Sequence, residues 1–340
     1  VSITFIGIWA GRKESNLNDF ALGGRRIPWW AVLASIIAAE TSAATFLGAP
    51  AEGYRTQNIL YVQLALGTIL ARILIAWLFI KPYYHYNVYT VYEFLEIRFG
   101  KITRTIGSLI FLLTRVLASG VRVYIASVIL VVAWKYFTGS SPTFSQYISA
   151  ILIMTVVTAV YTMIGGIKAV IWTDLIQAII MFGGAIVALL TIFILIPGGW
   201  EGIKLGTSDF ANFRVFDSGM NGSGDLGAAL LGVFNQEYTI WAALFGATFL
   251  TLATHGTDQD MVQRMLTAST YKRSRRSLIL SGIADIPIAL TFVLIGIFLF
   301  AFFRVVSDPQ VPSAPNEVFA YFIINYMPKG CFKTLYIFTF

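Results

Sequence analysis

Residues 25–54 read Arg25-Arg26-Ile27-Pro28-Trp29-Trp30 and then AVLASIIAAETSAATFLGAPAEGY, ending at Tyr54. Two arginines and two tryptophans ahead of an apolar run mark a membrane interface, and Pro28 suits a first helical turn, where its missing N–H orphans nothing. Halfway along, Ala38-Ala39-Glu40-Thr41-Ser42-Ala43-Ala44-Thr45 replaces large apolar side chains with small and polar ones and places a carboxylate near the bilayer centre. Against lipid such groups would go unsatisfied, so this segment must face protein or a water-filled site. The small residues alone are also what tight helix packing uses. Glu40 has its own bland reading, a carboxylate turned to a vestibule or paired with an intramembrane arginine.

Working outward from this stretch, the whole chain is of the same kind. Of its 340 residues 57% are hydrophobic and only 12% charged, and the mean hydropathy is +0.75. A soluble core of this size does not need that; a bilayer does. Apolar runs long enough to span occur at about 27–53, 58–82, 102–136, 145–165, 167–196, 237–264 and 277–305. Partial spans are expected before Ala10 and after Cys331, so both ends read as cuts through helices. Val88 to Phe99 reads as an interfacial amphipathic stretch, and 197–236 as a long polar loop.

Net charge is +7, which in a soluble protein would suggest nucleic acid, but the cations cluster in short loops. Counted on alternate sides, fourteen of the 24 Lys and Arg fall on one side and seven on the other, with Arg72, Arg115 and Arg122 inside spans. That bias puts the loop 264–276 in the cytoplasm and the residues before the first partial helix outside. The single Cys331 excludes an intrachain disulfide. No Gly-x-x-x-x-Gly-Lys-Ser/Thr loop, His-Glu-x-x-His or Gly-x-Ser-x-Gly is present, so the sequence supports neither an ATP-driven pump nor an intramembrane hydrolase. A non-enzymatic membrane protein without organic cofactor is expected. Asn221-Gly222-Ser223 forms a glycosylation sequon, of a kind that also arises by chance.

Three further features carry chemistry. Asp174 lies six residues beyond Lys168, about 9 Å into the membrane at the helical rise, where it needs a cation; it reads as a step in a cation path, with Lys168 as the alternative partner. Thr254 and His255 stand deep in the polar end of the 237–264 span, while Asp260, Gln263 and Arg264 read as a solvated helix end. Arg115 and Arg122, seven apart, share a helix face and are expected to pack against Glu40 or backbone carbonyls, holding an anionic substrate being the alternative. Gln63 adds an amide to the second span.

Taken together, Phe20-Ala21-Leu22-Gly23-Gly24, Pro28-Trp29-Trp30, Tyr89-Thr90-Val91-Tyr92-Glu93-Phe94-Leu95, Gly165-Gly166 with Trp172-Thr173-Asp174, and Gln263-Arg264 resemble the sodium:solute symporter family in order and spacing. The resemblance implies an all-α, leucine-transporter-type bundle of two inverted five-helix repeats, each opening with a broken helix. Residues 27–196 would form the first repeat and 237–340 an incomplete second one. It implies a sodium-coupled symporter of the plasma membrane, importing a small organic solute or anion by alternating access; a sodium-independent uniporter or channel and a solute sensor remain open. Carried over, sodium would be held by backbone carbonyls of Ala38 and Thr41, with Asp174 near its exit route. The family usually has an aliphatic residue at Thr41 and completes this site with hydroxyls from an eighth core helix that lies past the chain's end. Solute would lie beside the break, touching Glu40, Ser42, Thr45, Gln63, Thr254 and His255. Sugar-transporting members carry aromatic and amide groups where Thr254 and His255 stand.

Overall fold

The computed structural model describes residues 16–41, 43–139, 143–220 and 226–328, and these are almost entirely helix and loop. Ser42, the sequon at Asn221, the apolar stretch before Ala10 and the segment after Cys331 lie outside the described residues. The helices are α1 (Leu17–Leu22), α2 (Trp29–Glu40), α3 (Ala43–Thr56), α4 (Leu64–Leu78), α5 (Ile80–His85), α6 (Val91–Phe99), α7 (Lys101–Thr138) and α8 (Phe144–Leu195). After them come α9 (Trp200–Gly206), α10 (Leu226–Asn235), α11 (Thr248–Gly256), α12 (Gln259–Leu266), α13 (Tyr271–Val306) and α14 (Pro315–Asn325).

The expected spans map onto these elements. Four helical stretches, Leu60–His85, Lys101–Tyr124, Thr162–Leu195 and Tyr271–Val306, are long and apolar enough to cross a membrane. Trp29–Glu40 and Thr45–Thr56 make a fifth span bent by 62° at the small-residue segment. Phe144–Val160 and Ala242–Gly256 are shorter apolar helices in the remaining two places. The spans expected at 145–165 and 167–196 run together within α8 and are separated by Gly166, whose φ of 51° and ψ of −153° are closed to most other residues. The span expected at 237–264 ends earlier. It opens with a π-helical turn, Ala242–Ala247, and stops at Gly256, after which the Asp258 carboxylate accepts from the Asp260 N–H at 2.8 Å and starts α12 as a separate helix.

Two apolar cores lie at opposite ends of the bundle. One, at the end bearing Arg25, Arg26, Lys272 and Arg276, is built by Leu22, Ile36, Ile75, Ile171, Met265 and Leu278. The other gathers Phe46, Ala185, Ile192, Phe292, Phe302 and Phe322. At the basic end Arg276 lies 4.0 Å over the Trp29 ring and Arg275 4.6 Å over Trp77, cations seated on aromatic belts. On α7, Leu109, Leu113 and Val116 point outward from the bundle, as do Leu152 and Val156 on α8, an apolar surface suited to hydrocarbon.

Close backbone approach sets where the bent pair sits. A Cβ on Gly296 of α13 would lie 1.9 Å from the Pro50 carbonyl oxygen, and one on Gly53 of α3 would lie 2.1 Å from that of Val293. Only glycine allows the two helices this contact. Gly296→Ala should therefore lower the apparent unfolding temperature in detergent, because overpacking costs about 1–3 kcal/mol. Gly246→Ala, whose Cβ meets nothing within 4 Å, should leave it unchanged or raise it. Equal behaviour of the two variants would contradict this packing.

Candidate functional site

The two cores leave a polar layer between them. Along α13, Asp285 stands seven residues from Leu278 in one core and seven from Phe292 in the other, about 10 Å from each at the helical rise. Arg72 on α4 is wholly buried, and its Nη2 is shared by the carboxylates of Glu40, at the last residue of α2, and Asp285, at 2.8 Å. Gly282, three residues before Asp285 and so on its face of the helix, makes the space: a Cβ there would press on Arg72 Cδ at 3.0 Å. Thr68 Oγ1 donates to Asp285 at 3.3 Å. Pro287, two residues on, offers no N–H to the carbonyl of Ile283, so the α13 ladder is interrupted beside the carboxylate.

His255 completes the cluster from α11. Its Nε2 lies 2.8 Å from Glu40 Oε1, out of line for a good hydrogen bond, and its Nδ1 is 2.9 Å from Thr254 Oγ1. A nitrogen facing a carboxylate carries the proton, so these contacts fit the tautomer in which Nδ1 accepts from the threonine hydroxyl. Glu40 Oε2 and Arg72 Nε and Nη1 are buried without a hydrogen-bond partner. Within hydrocarbon a lone ion of this kind is costly, and breaking a buried pair from one side typically costs about 3–5 kcal/mol. Four segments are thereby tied to one point: the end of α2, α4, α11 and α13.

Against this cluster opens a cavity of about 180 Å³ lined by Glu40, Thr41, Thr45, Tyr61, Thr68 and Asp285, with Phe292 closing one wall. Glu40, Thr41 and Thr45 thus come together as the sequence places them. Ala38 lies in the last turn of α2. Gln63 is held elsewhere: it donates to the Tyr238 carbonyl and accepts from the Asp217 N–H, each at 3.2 Å, so both ends of its amide are taken by the loops beyond the span. Thr254 faces a different and larger cavity, about 1080 Å³, shared with Tyr92, Phe94 and Asp258 toward the basic end. Glu40 is paired by Arg72, not by Arg115 or Arg122. Arg115 instead binds Asp260 and lies 3.6 Å from Asp258, while Arg122 is exposed.

Asp174 belongs to a second polar cluster at the basic end. It accepts from the Ser35 hydroxyl of α2 and from Arg264 Nε at 3.3 Å. Lys168 lies instead 3.9 Å from Asp19. Arg264, expected in solvent, is 7% exposed and donates through Nη1 to the Asp260 carbonyl at 2.9 Å and carboxylate at 2.5 Å. Gln263 Nε2 donates to the Ala21 carbonyl at 2.9 Å, Tyr83 to that of Gly256 at 2.8 Å, and Gln259 Oε1 accepts from the Val91 N–H at 2.9 Å. Thr257 and Asp258 turn the chain back, so residues that would lie in water on a straight helix are folded under α2. Burial alone would raise the Asp260 pKa, but Arg264 and Arg115 outweigh it and hold the carboxyl below the usual carboxylate range.

Arg72, Asp285 and Ser35 were absent from the candidate ligands read from sequence. Two of them carried a signal, an isolated ion in each of two apolar runs, ILARILIAW around Arg72 and SGIADIPIAL around Asp285. A bundle with a broken helix, a polar midplane cluster at the break and a latch at one end is the architecture of the leucine-transporter-type secondary carriers. The sequence profile of the sodium:solute symporter family matches residues 20–332, and the chain belongs to that family. It is 28% identical to the human sodium/iodide cotransporter over 333 residues, covering 95% of this chain and 47% of that protein. It is 31% identical to the rabbit (Oryctolagus cuniculus) sodium-dependent multivitamin transporter, covering 94% and 47%. It is 27% identical to the sodium/sialic acid symporter of Proteus mirabilis, covering 97% and 62%. A solved substrate-bound, outward-open sodium-coupled sialic acid symporter superimposes with a TM-score of 0.80 at 26% identity, over 99% of this chain and 66% of that one. The chain spans about half the length of most of these curated relatives.

Because the folded-state pKa of Asp260 is depressed, its contribution to the latch is present above the unfolded value, roughly 3.9, and is lost as pH falls through the lower folded value. Amide exchange at Val262 to Leu266, corrected for intrinsic rates, should therefore show constant protection from pH 8 to pH 5. Arg264→Ala should abolish that protection across the whole range. Protection that fades below pH 6, or that survives Arg264→Ala, would show that this network does not hold the basic end closed.

Proposed function

We propose that the full-length protein is a sodium-coupled symporter that carries a small solute across the plasma membrane by alternating access. The observation that carries this reading is the break between α2 and α3, which lies beside both an ionic cluster and a cavity in the middle of an apolar bundle. The C-terminal end of α2 points its carbonyl dipoles at the break, and Glu40 adds a carboxylate there, so a cation is favoured at the carbonyls of Ala38 and Thr41. Solute binds in the adjoining cavity, against Glu40, Thr45 and the residues opposite them. Members of this family transport rather than catalyse, and sodium is the coupling ion in the names of the relatives above.

In this reading Asp174 lies on the sodium exit route, and Arg264 is its competitor. A guanidinium at the carboxylate keeps the basic end shut; a sodium ion arriving there would replace it. Residues 27–196 form the first repeat and 237 onward the second, with the basic end, including the 264–276 loop, in the cytoplasm. Coupling suffices energetically: one sodium ion moving across ~100 mV releases ~2.3 kcal/mol, and a tenfold gradient adds ~1.4 kcal/mol. Together these support several-hundred-fold accumulation.

The test is solute-evoked current from the full-length protein in proteoliposomes under an inward sodium gradient. Currents should vanish in potassium, and Thr45→Leu, which fills volume and removes a hydroxyl in the cavity, should raise the half-saturating solute concentration several-fold. Undiminished flux without sodium would indicate a uniporter or channel; binding without flux would indicate a sensor. For orientation, a cysteine at the exposed Lys272 should react with an impermeant maleimide only after cells are permeabilised. Labelling of intact cells would reverse the topology.

A further inference from the structure

The charge of the cavity names the kind of solute it takes. The charged side chains that line it are Glu40 and Asp285; the polar remainder are the hydroxyls of Thr41, Thr45, Tyr61 and Thr68. Arg72 is not part of the lining. It is wholly buried and stands behind the two carboxylates, and its Nη2 meets both. One guanidinium, standing behind the cavity wall, therefore serves two carboxylates, and the charged part of the lining is acidic alone. His255 touches Glu40 from the side of α11 and does not line the cavity either.

We infer that the solute is a small organic cation bearing an ammonium group, an inference that rests on the symport reading of this same site. Such a group would sit between the Glu40 and Asp285 carboxyl groups, and no lysine or arginine lines the cavity among the described residues. Tyr61 and Phe292 supply ring surface beside it, and aromatic walls suit ammonium ions, quaternary ones above all. The hydroxyls can accept from N–H donors or pair with a hydroxyl on the solute. A volume of about 180 Å³ is close to the ~150 Å³ of an engineered cavity that holds benzene, so the solute has about six to ten non-hydrogen atoms. An anion of that size would meet two carboxylates with the nearest fixed cation behind them. Iodide, sialic acid and monocarboxylates, which appear in the names of the relatives, all have the opposite charge requirement.

The experiment uses the full-length protein in lipid nanodiscs, with choline and N,N-dimethylethanolamine as cationic probes and lactate and iodide as anionic ones. Binding is followed calorimetrically in sodium and in potassium gluconate. At least one cationic probe should bind in a sodium-dependent way. Asp285→Asn should weaken that binding tenfold or more while Asp285→Glu keeps it, and the unfolding temperature of each unliganded variant shows whether it is folded. Sodium-dependent binding of lactate or iodide with none of the cations overturns this inference and leaves the symport reading standing. So does a site that responds to sodium alone, or a cationic probe whose affinity is indifferent to Asp285→Asn. Binding of any probe that is the same in sodium and potassium overturns the symport reading itself.

Discussion

A guanidinium buried between two carboxylates is the constraint around which this bundle is arranged. Arg72, Glu40 and Asp285 come from three helices, and each of the three charges would be strongly unfavourable alone in hydrocarbon. Their desolvation cost is offset only while all three stay together. This fixes the height of α4 against α13 and holds the end of α2 to both. The apolar cores above and below add close-packed contacts, and the ionic layer adds a penalty for any displacement that strands a charge. The last residue of α2 is Glu40, whose carboxylate meets Arg72, and the chain bends by 62° between α2 and the residues from Thr45 onward.

The second cluster works on the same helix nearer its middle. Ser35 lies five residues before Glu40, about 7.5 Å along α2, so the helix is gripped at one point by Arg72 and at another by the Asp174 and Arg264 pair. In the symport mechanism proposed above, a ligand at the break would act on the first grip and a cation at Asp174 on the second, so that motion of α2 would require both to change. Gly53 and Gly296, in backbone contact, hold α3 to α13 on the far side of the break, so α2 and α3 are separately anchored and the break acts as the joint between them.

Much of this was legible in the chain. Five of the expected spans, one of them a bent pair, stand where the apolar runs lie, because hydropathy over about twenty residues reports membrane burial directly, and the runs at 145–165 and 237–264 hold shorter apolar helices. The break at Ala38 to Thr45 was visible because small and polar residues cannot face lipid. The partners were not. Glu40 reads from the sequence as paired with some intramembrane arginine, and Arg115 and Arg122 as packing on Glu40 or on carbonyls, because periodicity shows which residues share a face of one helix and says nothing about which helix it meets. Asp285 and Arg72 are lone ions in otherwise apolar spans and should have been paired with each other on that ground. Gln63 looked like a site residue because its type and depth fit; only the folded loops at Asp217 and Tyr238 show that its amide is already used. Arg264 was misjudged because the turn at Thr257 and Asp258 reverses the chain, and a reading of 237–264 as one straight span places everything beyond it in water.

Neutralisation of Glu40 and Asp285 together by Arg72 is measured by comparing Arg72→Met alone with Arg72→Met combined with Glu40→Gln and Asp285→Asn. The measured quantity is the apparent unfolding temperature of the full-length protein in one detergent, with the wild type and the double neutralisation Glu40→Gln/Asp285→Asn completing the set. The single change strands two carboxylates and should be strongly destabilising, at about 3–5 kcal/mol for a buried pair broken from one side. The triple change removes every charge and should recover most of that loss. A triple variant as unstable as the sum of its parts would mean that the three side chains act independently, and would contradict the account.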